Sequence, residues 1–355
     1  MNELKNFKDQ IHKCSRCGIC QNACPIYKIT GNDCTVSRGQ FAMLEGVLKG
    51  ELKMSKTINR YLDLCLKCGA CSKACPSGIN TVDIIIAAKS EYYKKHFTEK
   101  VISFIQKNII FKLLPNTINL FIPKKKSKSF EKKVLFFGGC GSKLKGDLAI
   151  TKILNKLQIE VINPNFDCCG IPAFVRGDLE GFNNAIESYV KILQKYNIKD
   201  VIVNCASCEK SLKDYSKWVK NQESKKFLES IRVKNIFSYI REENLSLNLK
   251  NKITVTYHKP CNIDNFNNIE WVLKNTKNLD YKEMKDFDKC CGLNGLTKFS
   301  EYKILAKLFK AKQQNIISSE ANIVLTSCLG CEIVLNTISN CKYKTQDLLS
   351  FLAQN

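Results

Sequence analysis

Two runs of four closely spaced cysteines constrain what this chain can fold into more than any other feature of its sequence. Each run has the spacing C-x2-C-x2-C-x3-C-P, and the second begins 51 residues after the first. In this spacing three thiolates surround one face of a [4Fe-4S] cluster, and the fourth reaches a neighbouring cluster. The repeat therefore predicts that the first eighty residues hold two [4Fe-4S] clusters.

The crossed ligation divides the eight cysteines into two sets. The first set is Cys14, Cys17, Cys20 and Cys75, and the second set is Cys65, Cys68, Cys71 and Cys24. Zinc sites also use C-x2-C pairs, but they need two pairs separated by a longer loop. Each run here places four cysteines within eleven residues and ends on proline, so iron-sulfur ligation is favoured over zinc.

A second, longer repeat of cysteines follows the basic segment from Pro123 to Lys133. Each half reads C-x27/28-CCG-x34/35-C-x2-C, at offsets of 121 to 123 residues. The first half contributes Cys140, Cys168, Cys169, Cys205 and Cys208, and the second half contributes Cys261, Cys290, Cys291, Cys328 and Cys331. We interpret these two CCG sets as the ligands of one or two further iron-sulfur clusters, a candidate third at the first set and a candidate fourth at the second.

Three alternatives to clusters at the CCG sets stay open, namely structural thiols, a zinc site, and a redox-active disulfide pair such as Cys205 and Cys208. Structural thiols alone do not account for near-identical spacing in both halves. A single redox pair does not account for the adjacent cysteines. Five thiolates exceed what a cubane needs, which favours a bridging ligand or an unusual cluster.

The segments around the CCG cysteines alternate between apolar strands and amphipathic helices. Strands are predicted at Val134–Gly139, Val201–Asn204, Ile253–Tyr257 and Ile323–Thr326, and helices after Ser37 and at Asp147–Leu157, Glu180–Tyr196 and Ser300–Ile317. This alternation predicts parallel sheets with the cysteines at strand ends. The expected fold is α+β overall, with an N-terminal helical two-cluster domain (1–96), a helical, basic linker (97–132) and two tandem α/β CCG modules (133–250 and 251–355).

Composition narrows the class of protein. Twenty cysteines in a long chain without an apolar signal segment indicate metal ligands in a reducing compartment, so a cytoplasmic protein is expected. The apolar stretch from Val101 to Ile122 is interrupted by Lys107, Lys112 and Pro115, which argues against a membrane span but leaves peripheral contact with the inner membrane face open. The formal charge of +23 comes without a nucleic-acid motif, so no nucleic-acid partner is expected.

In its order of motifs the chain resembles the iron-sulfur subunit of glycolate oxidase and its relatives in heterodisulfide reductase and anaerobic glycerol-3-phosphate dehydrogenase. The stretches CPIYKITGNDCTVSRGQ, CLKCGACSKACPSGI, YHKPC and TSCLGC carry the resemblance, which covers nearly the whole chain. It implies a ferredoxin-type domain and CCG modules in an electron-transport subunit. In heterodisulfide reductase the complete five-cysteine motif holds a non-cubane cluster that cleaves a disulfide, whereas glycolate oxidase subunits often have incomplete motifs. This chain keeps all ten cysteines.

The resemblance implies an oxidoreductase complex in which a partner performs the substrate chemistry. The glycine-rich stretch GGCGSKLKG lacks the third glycine of a dinucleotide-binding loop, so no flavin or nicotinamide site is expected in this chain. The implied partner is a flavoprotein with FAD that oxidises a 2-hydroxy acid such as glycolate or lactate, and the implied acceptor is a quinone or another carrier. The alternative is reduction of a disulfide at a non-cubane cluster.

Three further residues have weaker assignments. His258 stands three residues before Cys261 at a strand end, which makes it a candidate proton donor as well as a candidate packed histidine. Cys34 and Cys341 belong to neither repeat and are expected to be plain buried thiols.

Overall fold

The computed structural model describes residues 3–96, 128–139, 147–164, 166–263, 265–293 and 302–354. Cys140 and most of the expected linker, residues 97–127, lie outside these ranges, as does the apolar stretch from Val101 to Ile122. The chain divides into two compact units. The first unit comprises Met1–Phe104, Pro172–Leu179 and Lys289–Gln314, and the second comprises Ile105–Ile171, Glu180–Asp288 and Asn315–Asn355.

Helices make up the described part of the first unit up to residue 96. They are α1 (Lys8–His12), α2 (Ile19–Ala23), α3 (Pro25–Thr30), α4 (Ser37–Lys49), α5 (Lys56–Leu64), α6 (Ala70–Lys73) and α7 (Thr81–Lys95), with 3-10 turns at Glu3–Phe7 and Asp33–Thr35. The apolar faces of α4, α5 and α7 form one core that includes Phe41, Leu44, Leu62 and Ile84. Cys14, Cys65 and Cys75 pack against this core, so it supports the cysteine runs from behind.

Side-chain caps fix where these helices begin. The Ser55 hydroxyl accepts from the Ile58 N–H at 3.3 Å at the start of α5, and the Asn80 side chain accepts from the Asp83 N–H at 3.4 Å at the start of α7. Cys24 caps α3 with its sulfur, and Pro25 follows at the first helical position, where a missing N–H costs no hydrogen bond. The proline that closes the first cysteine run therefore starts a helix.

Gly39 shows why α4 can approach the 3-10 turn before it so closely. A Cβ atom on Gly39 would lie 2.1 Å from the Asp33 carbonyl oxygen, which is backbone and cannot rotate away. We expect Gly39→Ala to lower the free energy of unfolding by about 1–3 kcal/mol. The measurement is the shift of the denaturant midpoint of the cluster-loaded protein. Gly46→Ala in the same helix is the matched control, because its Cβ would meet only the flexible Leu52 side chain at 2.9 Å. Equal midpoints for the two variants would show that the backbone contact does not limit this position.

The described residues of the second unit contain two four-stranded parallel sheets, with strand orders β2-β1-β3-β4 and β6-β5-β7-β8. The strands are β1 (Lys132–Phe136), β2 (Ile159–Ile162), β3 (Asp200–Val203), β4 (Arg232–Asn235), β5 (Asn248–Tyr257), β6 (Lys277–Tyr281), β7 (Ile323–Thr326) and β8 (Lys344–Asp347). The central strands β1, β3, β5 and β7 each end in three buried residues, as expected for strands inside a parallel sheet. Each sheet therefore repeats the topology of the other.

The helices that follow residue 128 are α8 (Asp147–Lys156), α9 (Ile171–Arg176), α10 (Leu179–Tyr196), α11 (Ala206–Trp218), α12 (Gln222–Glu229), α13 (Ile236–Glu242), α14 (Asn267–Asn275), α15 (Tyr302–Ile317), α16 (Leu329–Thr337) and α17 (Leu348–Gln354). Within the second unit, α8 packs against α17 and α13 packs against α14. Each contact joins helices from different modules. One helix of each pair follows the first strand of its module, and the other follows the last strand of its module. The two modules are thus paired in an approximately twofold manner.

The expected fold class is confirmed, because a helical segment precedes two modules with parallel sheets. The predicted strand at Ile323–Thr326 matches β7, and the helices predicted after Ser37 and near Asp147 and Glu180 match α4, α8 and α10 within one residue at each start. The domain boundaries stay predictions; strand β5 begins at Asn248, before the expected boundary at 250/251. No helix in the described ranges is long and apolar enough to cross a membrane.

Candidate iron-sulfur sites

The two cysteine runs fold alike around a left-handed glycine. Gly18 has φ +86° and precedes α2, and Gly69 has φ +72° and precedes α6. Glycine takes this backbone conformation without the steric cost that a Cβ atom brings. The turn places the third cysteine of each run, Cys20 and Cys71, in the first turn of a short helix. Each run thereby curls its first three thiols around one cavity.

The four cysteines of the predicted first set line a single cavity in the first unit. Its lining includes Cys14, Cys17, Cys20 and Cys75, together with Ser37, Arg38, Cys71 and Thr81. Cys17 is the exposed member of this set, and the other three are half-buried. One edge of the cavity therefore reaches the protein surface.

The four cysteines of the predicted second set line another cavity, formed by Cys24, Cys65, Cys68 and Cys71 with Pro25, Leu66, Gly69, Thr81 and other residues. Backbone N–H groups point at two of these sulfurs: Tyr27 donates to Cys24 and Lys67 donates to Cys65, both at 3.4 Å. Burial raises the pKa of Cys24 and of Cys65 to about 12. Both thiols therefore keep their protons unless a bound metal centre displaces those protons. Four sulfurs and inward N–H donors are what a cubane site needs, so the residues fit the group.

Arg38 lies between the first cavity and the protein surface. Its guanidinium forms an ion pair with Asp33 at 3.4 Å on the surface. Its backbone N–H also donates to the Cys20 sulfur, which counteracts the rise in the pKa of Cys20 that burial causes. The side chain lines the first cavity as well. The residue therefore belongs to the site through both its backbone and its side chain.

In the first CCG module, hydrogen bonds to the backbone fix the adjacent cysteines. The Cys169 carbonyl oxygen accepts from the Ser211 hydroxyl at 2.8 Å and from the Tyr215 hydroxyl at 3.0 Å, both on α11. Cys169 and Cys208 are buried and hydrogen-bonded to each other, which raises the pKa of Cys208 well above its usual range. A Cβ on Gly139 would lie 3.2 Å from the Cys208 sulfur, so the segment that follows β1 approaches the same point.

The thiols of the two modules meet inside the second unit. The Ala206 N–H donates to the Ser327 carbonyl oxygen at 2.8 Å, which joins the loop after β3 to the loop after β7. Cys205 and Cys328 are hydrogen-bonded to each other there, and the Ser207 hydroxyl lies 3.3 Å from the Cys328 sulfur. Thiol contacts therefore continue from the first module into the second.

Where the two modules meet, Cys328 is the cysteine whose pKa is lowered. Hydrogen bonds from Cys205 and from Cys331 hold the pKa of Cys328 well below its usual range, against the effect of burial. The Ser207 hydroxyl adds to this stabilisation, and the Asn262 amide donates to Ser207 at 3.2 Å. Among these thiols, Cys328 is therefore the one whose surroundings most favour the deprotonated form that binds a metal.

The five cysteines of the second CCG set are divided between the two compact units. Cys261, Cys328 and Cys331 lie in the second unit, and Cys290 and Cys291 lie in the first. Cys261 is half-buried, and the other four are buried. Within the first unit, the Gly292 N–H donates to the Cys290 sulfur at 3.4 Å. The Cys290 thiol is also hydrogen-bonded to the Cys68 thiol, which raises the pKa of Cys68 well above its usual range.

His258 lies at the end of β5 and is fully buried. Its backbone N–H donates to the Leu325 carbonyl oxygen at 2.8 Å, so it continues the ladder between β5 and β7. Nearby, the hydroxyls of Tyr257 and Ser327 lie 2.8 Å apart. The backbone contact supports a packing role for His258, and its role as a proton donor stays a prediction.

Two sequence expectations about cysteines were wrong. Cys34 is half-buried and Cys341 is exposed, whereas both were expected to be plain buried thiols. Cys34 lies within the 3-10 turn Asp33–Thr35, and Cys341 has φ +61° in a loop between α16 and β8. Loop positions are exposed because their backbone polar groups need water. A cysteine's apolar character alone therefore did not predict its burial.

Sequence reasoning also missed the hydroxyl groups beside the cysteines. Ser37 and Thr81 line the first cavity, and Ser207 contacts Cys328. Ser207 lies between two cysteines in the sequence, which was a usable signal. Ser37 and Thr81 are not part of either cysteine run, so only the packing of α4 and α7 brings them there.

Two family models match the chain. Residues 10–79 match the 4Fe-4S dicluster domain, and residues 134–213 and 255–336 match the cysteine-rich domain named CCG. The first match covers both cysteine runs, and the second covers each half of the longer repeat. These matches indicate that iron-sulfur clusters are the metal centres of this chain.

Curated relatives match nearly the whole chain at low identity. The probable glycolate oxidase iron-sulfur subunit of Bacillus subtilis is 24% identical over 398 residues, which cover 93% of this chain and 90% of that protein. The D subunit of the dihydromethanophenazine:CoB--CoM heterodisulfide reductase of Methanosarcina mazei is 24% identical over 369 residues, covering 91% of this chain and 88% of that protein. The glycolate oxidase iron-sulfur subunit of Escherichia coli is 21% identical over 365 residues, covering 91% and 89%.

Among solved structures, a hypothetical protein from Helicobacter pylori matches with a TM-score of 0.57 at 11% identity. The match covers 99% of this chain and 76% of that chain. At this identity the likeness supports the fold alone.

Proposed function

We propose, since this chain belongs to the family of iron-sulfur proteins that join a 4Fe-4S dicluster domain to two cysteine-rich (CCG) domains, that it is the electron-transfer subunit of a flavin-linked 2-hydroxy-acid oxidoreductase. When bound, [4Fe-4S] clusters accept and release one electron at a time. A partner flavoprotein of the glycolate or lactate type would oxidise the substrate, and the acceptor would be a quinone or another carrier. The complex would work in the cytoplasm or at the inner membrane surface.

The chain's own residues would hold two cubanes side by side. Cys71 lines both cavities, so the first set of thiols and the second set share one wall. The second cavity is lined largely by apolar groups, among them Ile26, Leu66 and Val82, which keep water away from its sulfurs. Exclusion of water and N–H donors aimed at sulfur are two of the ways in which a protein sets a cluster's potential.

The two predicted cluster sites differ in their surroundings, and this difference favours one direction of electron transfer. Cys17 is exposed, so the first set is the one that a partner protein can approach. Cys68 of the second set is hydrogen-bonded to Cys290 of a CCG motif within the first unit. The observation that carries the proposal is that the two predicted sets of dicluster cysteines line two cavities that share Cys71, because adjacent cluster sites suit a one-electron relay.

A second candidate function has its own support. All ten CCG cysteines are present, thiols of both modules meet at Cys205 and Cys328, and the D subunit of a heterodisulfide reductase is among the relatives. We therefore keep reduction of a disulfide at a non-cubane cluster as the alternative. In that case the CCG thiols would hold a reacting centre rather than a relay.

Purification of the tagged chain from its native cells without oxygen separates the two functions. The first predicts that a flavoprotein co-purifies and that glycolate or lactate reduces the clusters of the complex. The alternative predicts that the dithionite-reduced chain is reoxidised by a disulfide substrate, while hydroxy acids have no effect. A complex without flavin, whose clusters respond to neither hydroxy acid, would contradict the first function.

A further inference from the structure

Among the described residues, helix α12 has no counterpart in the second CCG module. In the first module α12 (Gln222–Glu229) lies between α11 and β4, whereas residues 338–343, which join α16 to β8, contain no helix. The two sheets nevertheless have the same topology. A cavity of about 370 Å³ lies beside α12, which is within the size range of small-molecule sites. The cavity therefore lies where the first module adds an element that the repeated scaffold does not need.

This cavity has a buried floor, apolar walls and a charged rim. Tyr189 on α10 forms the floor and is only 2% exposed. Leu228 and Ile231 contribute the apolar walls. Lys213 and Glu229 are exposed, and their opposite charges lie where the cavity meets the surface. A ligand that enters between these charges would bury an apolar body against the walls and reach the Tyr189 hydroxyl.

The Tyr189 hydroxyl determines which chemical group fits the floor of the cavity. It is buried and forms no hydrogen bond with any residue in the described ranges. Burial raises the pKa of Tyr189 far above its usual range, so the phenol stays protonated and can donate a hydrogen bond. A buried donor without a partner is costly, so a ligand that supplies an acceptor oxygen gains affinity at this point.

Aromatic rings connect this cavity to the cysteines of the first CCG set. The Tyr189 ring packs edge-on against Tyr215, with the two ring centroids 5.4 Å apart. Tyr215 in turn donates a hydrogen bond to the Cys169 carbonyl oxygen at 3.0 Å. Two rings therefore separate a ligand in the cavity from Cys169, a predicted cluster ligand. Because electron transfer weakens steeply with distance, this closeness favours a ligand that accepts electrons.

We propose that the cavity binds a quinone ring, the electron acceptor of the complex, and that one quinone carbonyl oxygen accepts a hydrogen bond from Tyr189. A quinone supplies the acceptor that this hydroxyl lacks and an apolar ring that suits Leu228 and Ile231. Its reduction to a quinol takes two electrons, passed singly through the clusters from the partner flavoprotein, and two protons, taken from water at the rim. The inference rests on the proposed electron-transfer function.

The test measures the dissociation constant of duroquinone for the full chain by equilibrium dialysis, without oxygen and without added reductant. Duroquinone is fully substituted, so it does not add to the chain's thiols. Tyr189→Phe keeps the ring and removes only the hydroxyl, and it should weaken binding about tenfold. Tyr343→Phe is the matched control and should bind as the wild type does. Tyr343 is also a buried phenol without a partner in the part of the chain that the structure describes, and it lies in the second module.

A second variant tests the cavity itself. Ile231 is half-buried in the loop between α12 and β4, so Ile231→Trp fills the cavity from its wall and should abolish binding. A wild-type chain that does not bind duroquinone would overturn the proposal, as would a Tyr189→Phe variant that binds it as tightly as the wild type does.

Failure of this inference is distinguishable from failure of the proposed function. Tyr189-dependent binding of duroquinone to a chain with which no flavoprotein co-purifies would support the site and contradict only the flavin-linked function. A flavoprotein complex that binds no duroquinone would overturn the site and leave the electron-transfer function with another acceptor.

Discussion

Replacing Lys89 by methionine is expected to destabilise the dicluster part of the chain by about 3–5 kcal/mol. Lys89 on α7 forms an ion pair with Asp63 on α5, and the two side chains are only 6% and 5% exposed. Asn59 holds the second carboxylate oxygen of Asp63 at 2.9 Å. Without the ammonium group, the buried carboxylate of Asp63 loses its ion pair with Lys89, so the cost of its desolvation is offset less. The free energy of unfolding, measured on the cluster-loaded protein with denaturant, should show this loss.

The matched control is Lys94→Met on the same helix. Lys94 is exposed and lies 3.8 Å from Glu91, and exposed pairs of this kind contribute at most about 1 kcal/mol. The double variant Asp63→Leu with Lys89→Met should recover much of the stability, because it removes both buried charges together. Similar midpoints for Lys89→Met and Lys94→Met would show that the buried pair contributes little to the fold.

The second large effect concerns the crossed ligand sets. Cys24→Ser is expected to remove one whole cluster, about four iron atoms per chain, because a serine hydroxyl replaces the thiolate that iron requires. The lost cluster should be the one that Cys65→Ser also removes, since Cys24 and Cys65 line the same cavity. Iron analysis and the resonance spectrum of the reduced variants provide the measurement.

Cys34→Ser is the control for this loss. Cys34 is half-buried, lies close in sequence to Cys24 and belongs to neither repeat, so the iron content should not change. Cys75→Ser should remove the other cluster, because Cys75 lines the first cavity. If Cys24→Ser instead gave the spectrum of Cys17→Ser, each run would hold its own cluster and the crossed assignment would be wrong.

Much of the fold was predictable from apolar periodicity, and the missing parts have a common cause. The central strands β1, β3, β5 and β7 are apolar and were predicted, although β1, β3 and β5 differ from their expected bounds. The outer strands were missed. RVKN in β4 and KTQD in β8 carry little apolar signal, whereas IEVI in β2 is apolar but only four residues long. Edge strands form through pairing with their apolar neighbours, which is a tertiary effect that local patterns do not reveal.

The candidate sites were predictable to the extent that sequence spacing sets them. Eight cysteines were assigned to two sets from spacing alone, and each set lines its own cavity. Spacing could not show that Cys71 borders both cavities or that Cys205 meets Cys328, because these contacts depend on how helices and modules pack. The same limit explains why Gly39 looked ordinary in sequence although a Cβ there would meet the Asp33 backbone.

The most direct test of the central claim is the metal content and resonance spectrum of the full chain purified without oxygen. Two cubanes predict about eight iron atoms per chain, and occupied CCG sites raise this to about twelve or sixteen. After reduction, we expect coupled [4Fe-4S] signals from the cysteine runs and a four-iron signal of a second kind from the CCG thiols. A colourless, iron-free protein that contains zinc would contradict iron-sulfur ligation at both groups of cysteines.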